Sequence, residues 1–472
     1  MAMSKVDFMS FLETSATKKD PLLVATSMPQ HPTGYMYLDY GAGSYLNVYD
    51  DDEVPLYTYH NIGISSGSVN VIVSKSQGGK TTLAIEMGMA IIEPYIMQMY
   101  YDRFIKSNTP PKEKIPDFDG MPFIEILDTE KTLPIDYVKK LTHYTNKLLR
   151  CHATINPITT DKEMIHYVQK HIRYKVEHMA PVISPMLDIY GKPIREYPPT
   201  ILIIDSMSQL LLEDCDDLSK VGKGDINSIY ENATKGPAGA QRAKIISALY
   251  SQLVNYAKKY NIIIFSINHI NKTPAIMGVP VKQYRGLRAG ETIGGGERAI
   301  YLAANILRLD VIKSIGGASS TSINMGDDIK GHIAIASWIK SKSNSKANQC
   351  QLVYTDQGGY DPLMSNLWFG KEKGDLLKSG NFYYVRGHQD RKFSMRLQSV
   401  QQVFGDHPEL FSAYYDQLRD QCEKLLDNPD KAQAHERALL NKIRDDIHND
   451  DDYNRSDAND MDDIFANMIN AA

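Results

Sequence analysis

The residues of this chain best suited to chemistry are Ser74-Lys75-Ser76-Gln77-Gly78-Gly79-Lys80-Thr81. They follow the β-branched run Val69-Asn70-Val71-Ile72-Val73 and precede a helical pattern from Leu83 to Glu93, with Pro94 close to its end. A strand, a glycine-bearing turn and a helix in that order make a phosphate cradle of the form G-x-x-x-x-G-K-[ST]. Its glycines let backbone N–H groups close round phosphate oxygens, and the helix adds its positive end. In such a cradle Ser76, Gln77, Gly78, Gly79 and Thr82 surround the phosphates of ATP. Lys80 reaches the β- and γ-phosphates, and Thr81 is a ligand of Mg²⁺. One position departs from the pattern: Ser74 stands where a glycine is expected, leaving Gly78 to supply the lost freedom.

A bare Gly-Lys-Thr is common by chance, so its meaning depends on context. The apolar run Ile201-Leu202-Ile203-Ile204 ends in Asp205. A carboxylate at the end of a parallel strand sits where α/β sheets bind ligands, and it would serve Mg²⁺. An isolated Asp there would be read as a helix cap. A third run, Ile124-Glu125-Ile126-Leu127-Asp128-Thr129, leads to Glu130. Glu130 either polarises water attacking the γ-phosphate or is a solvated turn acid. A fourth, Ile262 to Ile267, ends in Asn268-His269. His269 is either a detector of the γ-phosphate or a structural histidine.

These residues need elements to hold them. The strand candidates Val69–Val73, Phe123–Leu127, Ile201–Ile204 and Ile262–Ile267, with a shorter one at Ile333–Trp338, are near-continuous apolar runs. Such runs indicate strands covered on both faces, and the helical stretch Ala238–Lys259 is one cover. The expected fold is therefore α/β, a mostly parallel sheet flanked by helices, over about residues 61–375. Segments 98–121 and 151–199 have no clean period and are read as insertions. Residues 1–60 read as a short helix (Phe8, Phe11, Leu12) followed by irregular Tyr- and Gly-rich chain. They form either a flexible arm with a few core contacts or a segment that docks on a neighbouring copy. Residues 376–440 read as a small helical C-terminal region, notably Gln398–Leu440, and 441–472 as a disordered acidic tail.

Net charge over 472 residues is −5, but Asp445 to Asp463 alone carries −8, which leaves the rest at +3. The body can therefore meet phosphate through local basic loops. Cys151, Cys215, Cys350 and Cys422 form no C-x-x-C pair, so neither a zinc site nor a redox motif is indicated. The first twenty residues lack the apolar stretch of a signal peptide, and no apolar run approaches the ~18–20 residues of a bilayer span. The expectation is a soluble cytoplasmic protein with no membrane partner.

Taken in order, these motifs resemble the RecA recombinase family, and within it the recombinases of T4-like phages, over roughly residues 60–375. Leu127-Asp128-Thr129-Glu130 through Tyr137 resembles the family's acidic segment, so the resemblance makes Glu130 the water-activating residue and Tyr137 the residue stacked on adenine. It makes His269 the γ-phosphate sensor. Ile293-Gly294-Gly295-Gly296, with Tyr301 to Asn305 and Arg308, resembles the end of the second DNA-binding loop and its helix. Trp338-Ile339-Lys340-Ser341-Lys342 resembles the lysine pair that reaches a neighbour's ATP across the filament interface. Gln357-Gly358-Gly359-Tyr360-Asp361-Pro362 resembles the phage proteins' G-G-I-D-P. The fold implied is a RecA-like ATPase core. The activity implied is a DNA-dependent ATPase that forms helical filaments on single-stranded DNA and exchanges strands with double-stranded DNA. A phage protein would work in its host's cytoplasm.

Two loops follow the Asp205 and His269 strands. The first, about Glu213 to Arg242, holds Lys220, Lys223 and Arg242; the second, about Asn271 to Arg298, holds Lys282, Tyr284, Arg285, Arg288, Gly294, Gly295 and Arg298. Basic, glycine-bearing loops with an aromatic suit contact with a DNA backbone independent of sequence. Taken blind, they would be solvated loops. Ile464, Phe465 and Met468 in the tail offer a docking point for single-strand-binding or mediator proteins. The competing readings are a replicative helicase motor on the same fold and an ATP-binding regulatory protein. Only about 60 residues precede the phosphate loop, less than a helicase's usual N-terminal domain.

Overall fold

A computed structural model describes residues 29–49, 55–75, 78–101, 122–142, 153–187, 193–212, 236–272, 286–293, 297–316, 322–326, 329–344 and 348–426. The sequence readings for the helix at 8–12, most of segment 98–121, residues 427–440 and the acidic tail lie outside them.

The chain opens with Gln30–His31 (β1), Met36–Ala42 (α1), Ser44–Tyr49 (β2), Pro55–Asn61 (β3) and Ile64–Ser65 (β4). Val69–Ser74 (β5) is followed by Lys80–Tyr100 (α2), Phe123–Asp128 (β6), Ile135–Thr142 (α3), Ala153–Pro157 (β7) and Asp161–His178 (α4). Next come Val182–Leu187 (β8), Pro193–Glu196 (β9), Thr200–Asp205 (β10), Gly236–Tyr260 (α5), Ile262–Lys272 (β11), Glu291–Ile293 (β12) and Glu297–Leu302 (α6). The last are Asn305–Ile315 (β13), Gly331–Ser341 (β14), Gln349–Thr355 (β15), Gly359–Tyr360 (β16), Pro362–Lys373 (α7), Leu377–Ser379 (β17), Phe382–Tyr384 (β18), Leu397–Asp406 (α8) and Glu409–Glu423 (α9).

One large sheet organises the molecule, in the order β16-β15-β14-β13-β5-β11-β10-β6-β7, with β12 paired to the end of β11. From β13 to β7 all neighbours run parallel; β14, β15 and β16 are antiparallel. The expected α/β class with a mostly parallel sheet flanked by helices is what the chain adopts. Alternation along β10 shows why: Ile201 and Ile203 join the core under α2, while Leu202 and Ile204 join the core under α4 and α5. A strand buried on both faces has no use for polar residues until its end, where Asp205 stands.

Three segments differ from the sequence reading. Residues 29–49 and 55–65 are not irregular chain: Tyr35, Tyr37, Leu38 and Tyr40 are buried in the main core, and the Trp338 indole N–H donates to the Leu38 carbonyl at 3.0 Å. Their aromatic content, read as a loop signature, fills space beside β14. Within segment 151–199, β7 is the parallel edge strand beside β6 and α4 covers the sheet, while β8 and β9 pair separately. Helix α2 runs through Pro94 rather than ending near it. Glu93 and Pro94 face solvent, while Tyr95 and Ile96 beyond them are buried, and that packing holds the next turn despite the missing N–H.

The C-terminal region is helical in part. A hairpin, β17–β18, precedes α8, and α9 is a separate helix set off at His407-Pro408. Phe393, Phe404, Tyr414 and Leu418 tie the region to the main core. Cys350 and Cys422 are free and buried. No helix among the described residues is long and apolar enough to cross a membrane.

Candidate functional site

The parallel strands β5, β11, β10 and β6 lie side by side and end at one edge, in register: Asp205 pairs with Asp128 and Ile267, and His269 with Ser74. Side chains beyond those ends therefore converge. Gly78, Gly79, Lys80, Thr81, Thr82, Glu130, Tyr137, Asp205 and His269, all singled out from the sequence, line one cleft of about 780 Å³. Ligand pockets run to roughly 300–1,000 Å³, so the cleft is large enough for a nucleotide.

Each side chain is held by local structure. Gly79 has φ +67°, a left-handed turn that glycine adopts freely, and it starts α2 so that Lys80 is the helix's first residue. Ser74 explains itself through Gly78. A Cβ on Gly78 would lie 2.0 Å from the Ser74 hydroxyl, so the glycine makes room for the serine that replaces the expected first glycine. The Thr81 hydroxyl donates to the Asp205 carboxylate at 2.6 Å. Asp128 caps the loop after β6, accepting from the amides of Glu130 (3.1 Å), Lys131 (2.8 Å) and Leu133 (3.0 Å). Thr129 ties the loop to the next strand through the Asp205 and Ser206 carbonyls at 3.0 and 2.9 Å. Glu130 is thereby presented to His269, whose Nε2 lies 3.5 Å from its Oε1.

Burial sets the electrostatics. It pushes the Lys80 ammonium down, opposed by the nearby Asp205 and Glu130 charges. It pushes the Asp205 carboxyl up, opposed by the hydrogen bond from Thr81. Both shifts reflect charge that is incompletely solvated, and an anion beside Lys80 with a cation beside Asp205 would relieve both. Thr81 and Asp205 offer two adjacent oxygens, the hard donors Mg²⁺ takes alongside phosphate and water, so the residues fit that ion. Among the described residues no group of three or more His, Cys, Asp and Glu gathers as a metal site of its own.

Ser76, Gln77, Lys220, Lys223, Lys282, Tyr284, Arg285, Gly294 and Gly295 fall outside the described residues, and Arg242 and Arg298 are placed only as positions on α5 and α6. Arg288 is 67% exposed, 3.7 Å from Asp310. The acid of the second loop, Glu291, is buried against Arg308 (2.6 Å), which also binds Asp310 (2.7 Å). These ion pairs fix the base of that loop, where β12 pairs with the end of β11. Lys340 is not in the cleft. Its ammonium donates to the Ile300 and Tyr301 carbonyls at 2.6 and 2.8 Å, and it is pushed down to about 8 by burial and by Lys342.

Sequence reasoning gave no role to Thr132, Leu133, Pro134, His332, Tyr354 and Asp356, which also line the cleft. His332 and Tyr354 are cross-strand partners with stacked rings, 4.5 Å apart and 18° from parallel. Only the pairing of β14 with β15 brings them together, and their spacing carries no signal for it. Also missed was Glu86, half-buried behind the loop, whose carboxyl is pushed up to about 9 by desolvation.

No protein-family model matches the chain, and no curated protein matches it either.

Proposed function

We propose that this chain is an ATP-hydrolysing DNA strand-exchange protein of the RecA type, assembling as helical filaments on single-stranded DNA. Its work would be homologous recombination, repair and recombination-dependent replication, in the manner of the T4-like phage recombinases its motifs resemble. One observation carries the reading. Lys80, Thr81, Glu130, Asp205 and His269 come from four adjacent strand ends into one cleft, and β11, which bears His269, runs straight on into the base of the second basic loop.

On this reading the loop amides and Lys80 hold the triphosphate of ATP, and Tyr137 meets the adenine. Mg²⁺, held by Thr81 and Asp205, would offset phosphate charge. Glu130 orients water for attack on the γ-phosphorus, and the bond to the β-phosphate oxygen breaks to leave ADP and phosphate. His269 gives up Glu130 for the γ-phosphate. Its strand then passes that change to the loop holding Lys282, Arg285 and Arg288, which grips DNA backbone. Lys340 leaves the α6 carbonyls of its own subunit and, with Lys342, meets the triphosphate of a neighbour.

ATPase measured with and without single-stranded DNA tests the proposal. DNA should stimulate hydrolysis, and Lys80→Ala should abolish it. Hydrolysis indifferent to DNA would favour a regulatory nucleotide-binding protein. Directional unwinding without strand exchange would favour a helicase motor.

A further inference from the structure

Tyr360 lies 282 residues from Gly78 in sequence, yet its hydroxyl donates to the Gly78 carbonyl at 2.9 Å in a buried contact. Its ring packs on the next residue: a Cβ on Gly79 would sit 2.8 Å from the Tyr360 ring. The Tyr360 backbone is itself bonded from behind. The Tyr360 amide donates to Glu86 at 3.0 Å, and the Tyr35 hydroxyl donates to the other Glu86 oxygen at 3.1 Å and to the Tyr360 carbonyl at 3.3 Å. Gly359 has φ +80°, and a Cβ there would lie 2.1 Å from Glu86, so the turn sits directly on that carboxyl. Tyr360 is 2% exposed and is not part of the cleft wall; it stands behind it.

The consequence follows from the peptide unit. In a trans peptide the carbonyl and the following N–H point in opposite directions. Tyr360 takes the Gly78 carbonyl on the side away from the cleft, so the Gly79 N–H is turned towards it. The same stretch of loop lacks its expected first glycine, and the Ser74 hydroxyl occupies the space over Gly78. The Ser74 hydroxyl and the Tyr360 ring thus both pack at the peptide whose amide would meet a phosphate oxygen.

We infer that Tyr360 is a positioning residue of the phosphate-binding loop: its hydroxyl fixes the Gly78–Gly79 peptide so that the Gly79 amide is aimed at a bound phosphate. The inference rests on the reading of the cleft as a nucleotide site. Tyr360→Phe keeps the ring on Gly79 and frees only the carbonyl. Tyr35→Phe removes a hydroxyl from the same buried network without touching the loop, and so reports what a purely structural loss does.

The test is titration of the full chain with a fluorescent ATP analogue and with inorganic triphosphate, together with kcat and KM for ATP hydrolysis. Tyr360→Phe should weaken binding of both probes about fivefold to tenfold, the loss of one buried hydrogen bond, and raise KM with kcat little changed. Tyr35→Phe should lower the melting temperature while leaving both affinities at the wild-type value. Wild-type affinities in Tyr360→Phe, with binding abolished in Lys80→Ala, would overturn the positioning role alone. Equal losses of affinity in Tyr35→Phe and Tyr360→Phe would reduce it to general structural support. Undiminished binding in Lys80→Ala would instead overturn the nucleotide-site reading beneath it.

Discussion

Glu86→Gln offers a quantitative check on the core beneath the phosphate loop. The carboxyl is pushed up to about 9 from an ordinary 4.5, chiefly by burial, with the hydrogen bonds from Tyr35 and Tyr360 pulling the other way. In the folded chain Glu86 therefore keeps its proton from pH 4.5 to about 9, while in the unfolded chain it loses it near 4.5. The folded state binds more protons across that window, so stability is full below about pH 4.5 and falls as pH rises towards 9. The full shift corresponds to about 6 kcal/mol, and solvent relaxation round a side chain not wholly enclosed brings it to the order of 3 kcal/mol. Glutamine keeps the shape and an acceptor oxygen but cannot ionise. Urea denaturation of both proteins at pH 5, 7 and 9 gives the difference directly, and Asp39 and other titrating groups that do not interact with Glu86 cancel in it. The variant should match wild type within ~1 kcal/mol at pH 5 and exceed it by ~3 kcal/mol at pH 9. Parallel stability curves for the two proteins would refute the account of Glu86 as a desolvated, proton-bearing acid.

Glu130→Gln should cut ATP hydrolysis by about 10²–10⁴-fold with nucleotide affinity kept, as removal of a general base does; equal losses in binding and turnover would reassign it to binding. Lys340→Ala with Lys342→Ala should leave a folded chain, checked by circular dichroism, that still binds ATP but loses cooperative, DNA-stimulated hydrolysis. Persistence of that stimulation would count against a nucleotide shared between subunits. Deleting 445–472, which removes the −8 stretch, should tighten DNA binding severalfold at low salt and little above physiological salt, where screening shortens to about 8 Å. Unchanged low-salt affinity would show that the tail does not compete with DNA.

The strand ends were readable because their physics is local. An apolar run that gives way to Asp205, Glu130 or His269 places those residues at or just beyond the end of its parallel pairing, and parallel pairings end on one edge. What the sequence hid depends on distant pairing. Tyr360 and Gly78 meet only because β16 closes on α2, and His332 meets Tyr354 only across β14 and β15. The aromatic segment 35–40 was misjudged because tyrosines among glycines look like loop, whereas here Tyr37 packs on Phe369, Tyr40 on His60, and Tyr35 reaches Glu86. The lysine pair was legible as a motif and opaque as geometry. Lys340 caps its own α6, which no spacing rule would reveal.

The most direct measurement is negative-stain imaging of the full chain with single-stranded DNA, with and without a non-hydrolysable ATP analogue. Regular helical filaments in the presence of the analogue, absent without it and absent for Lys80→Ala, are the predicted result. Dispersed particles under every condition, from a chain that nonetheless binds the analogue, would contradict the claim that nucleotide occupancy governs the grip on DNA.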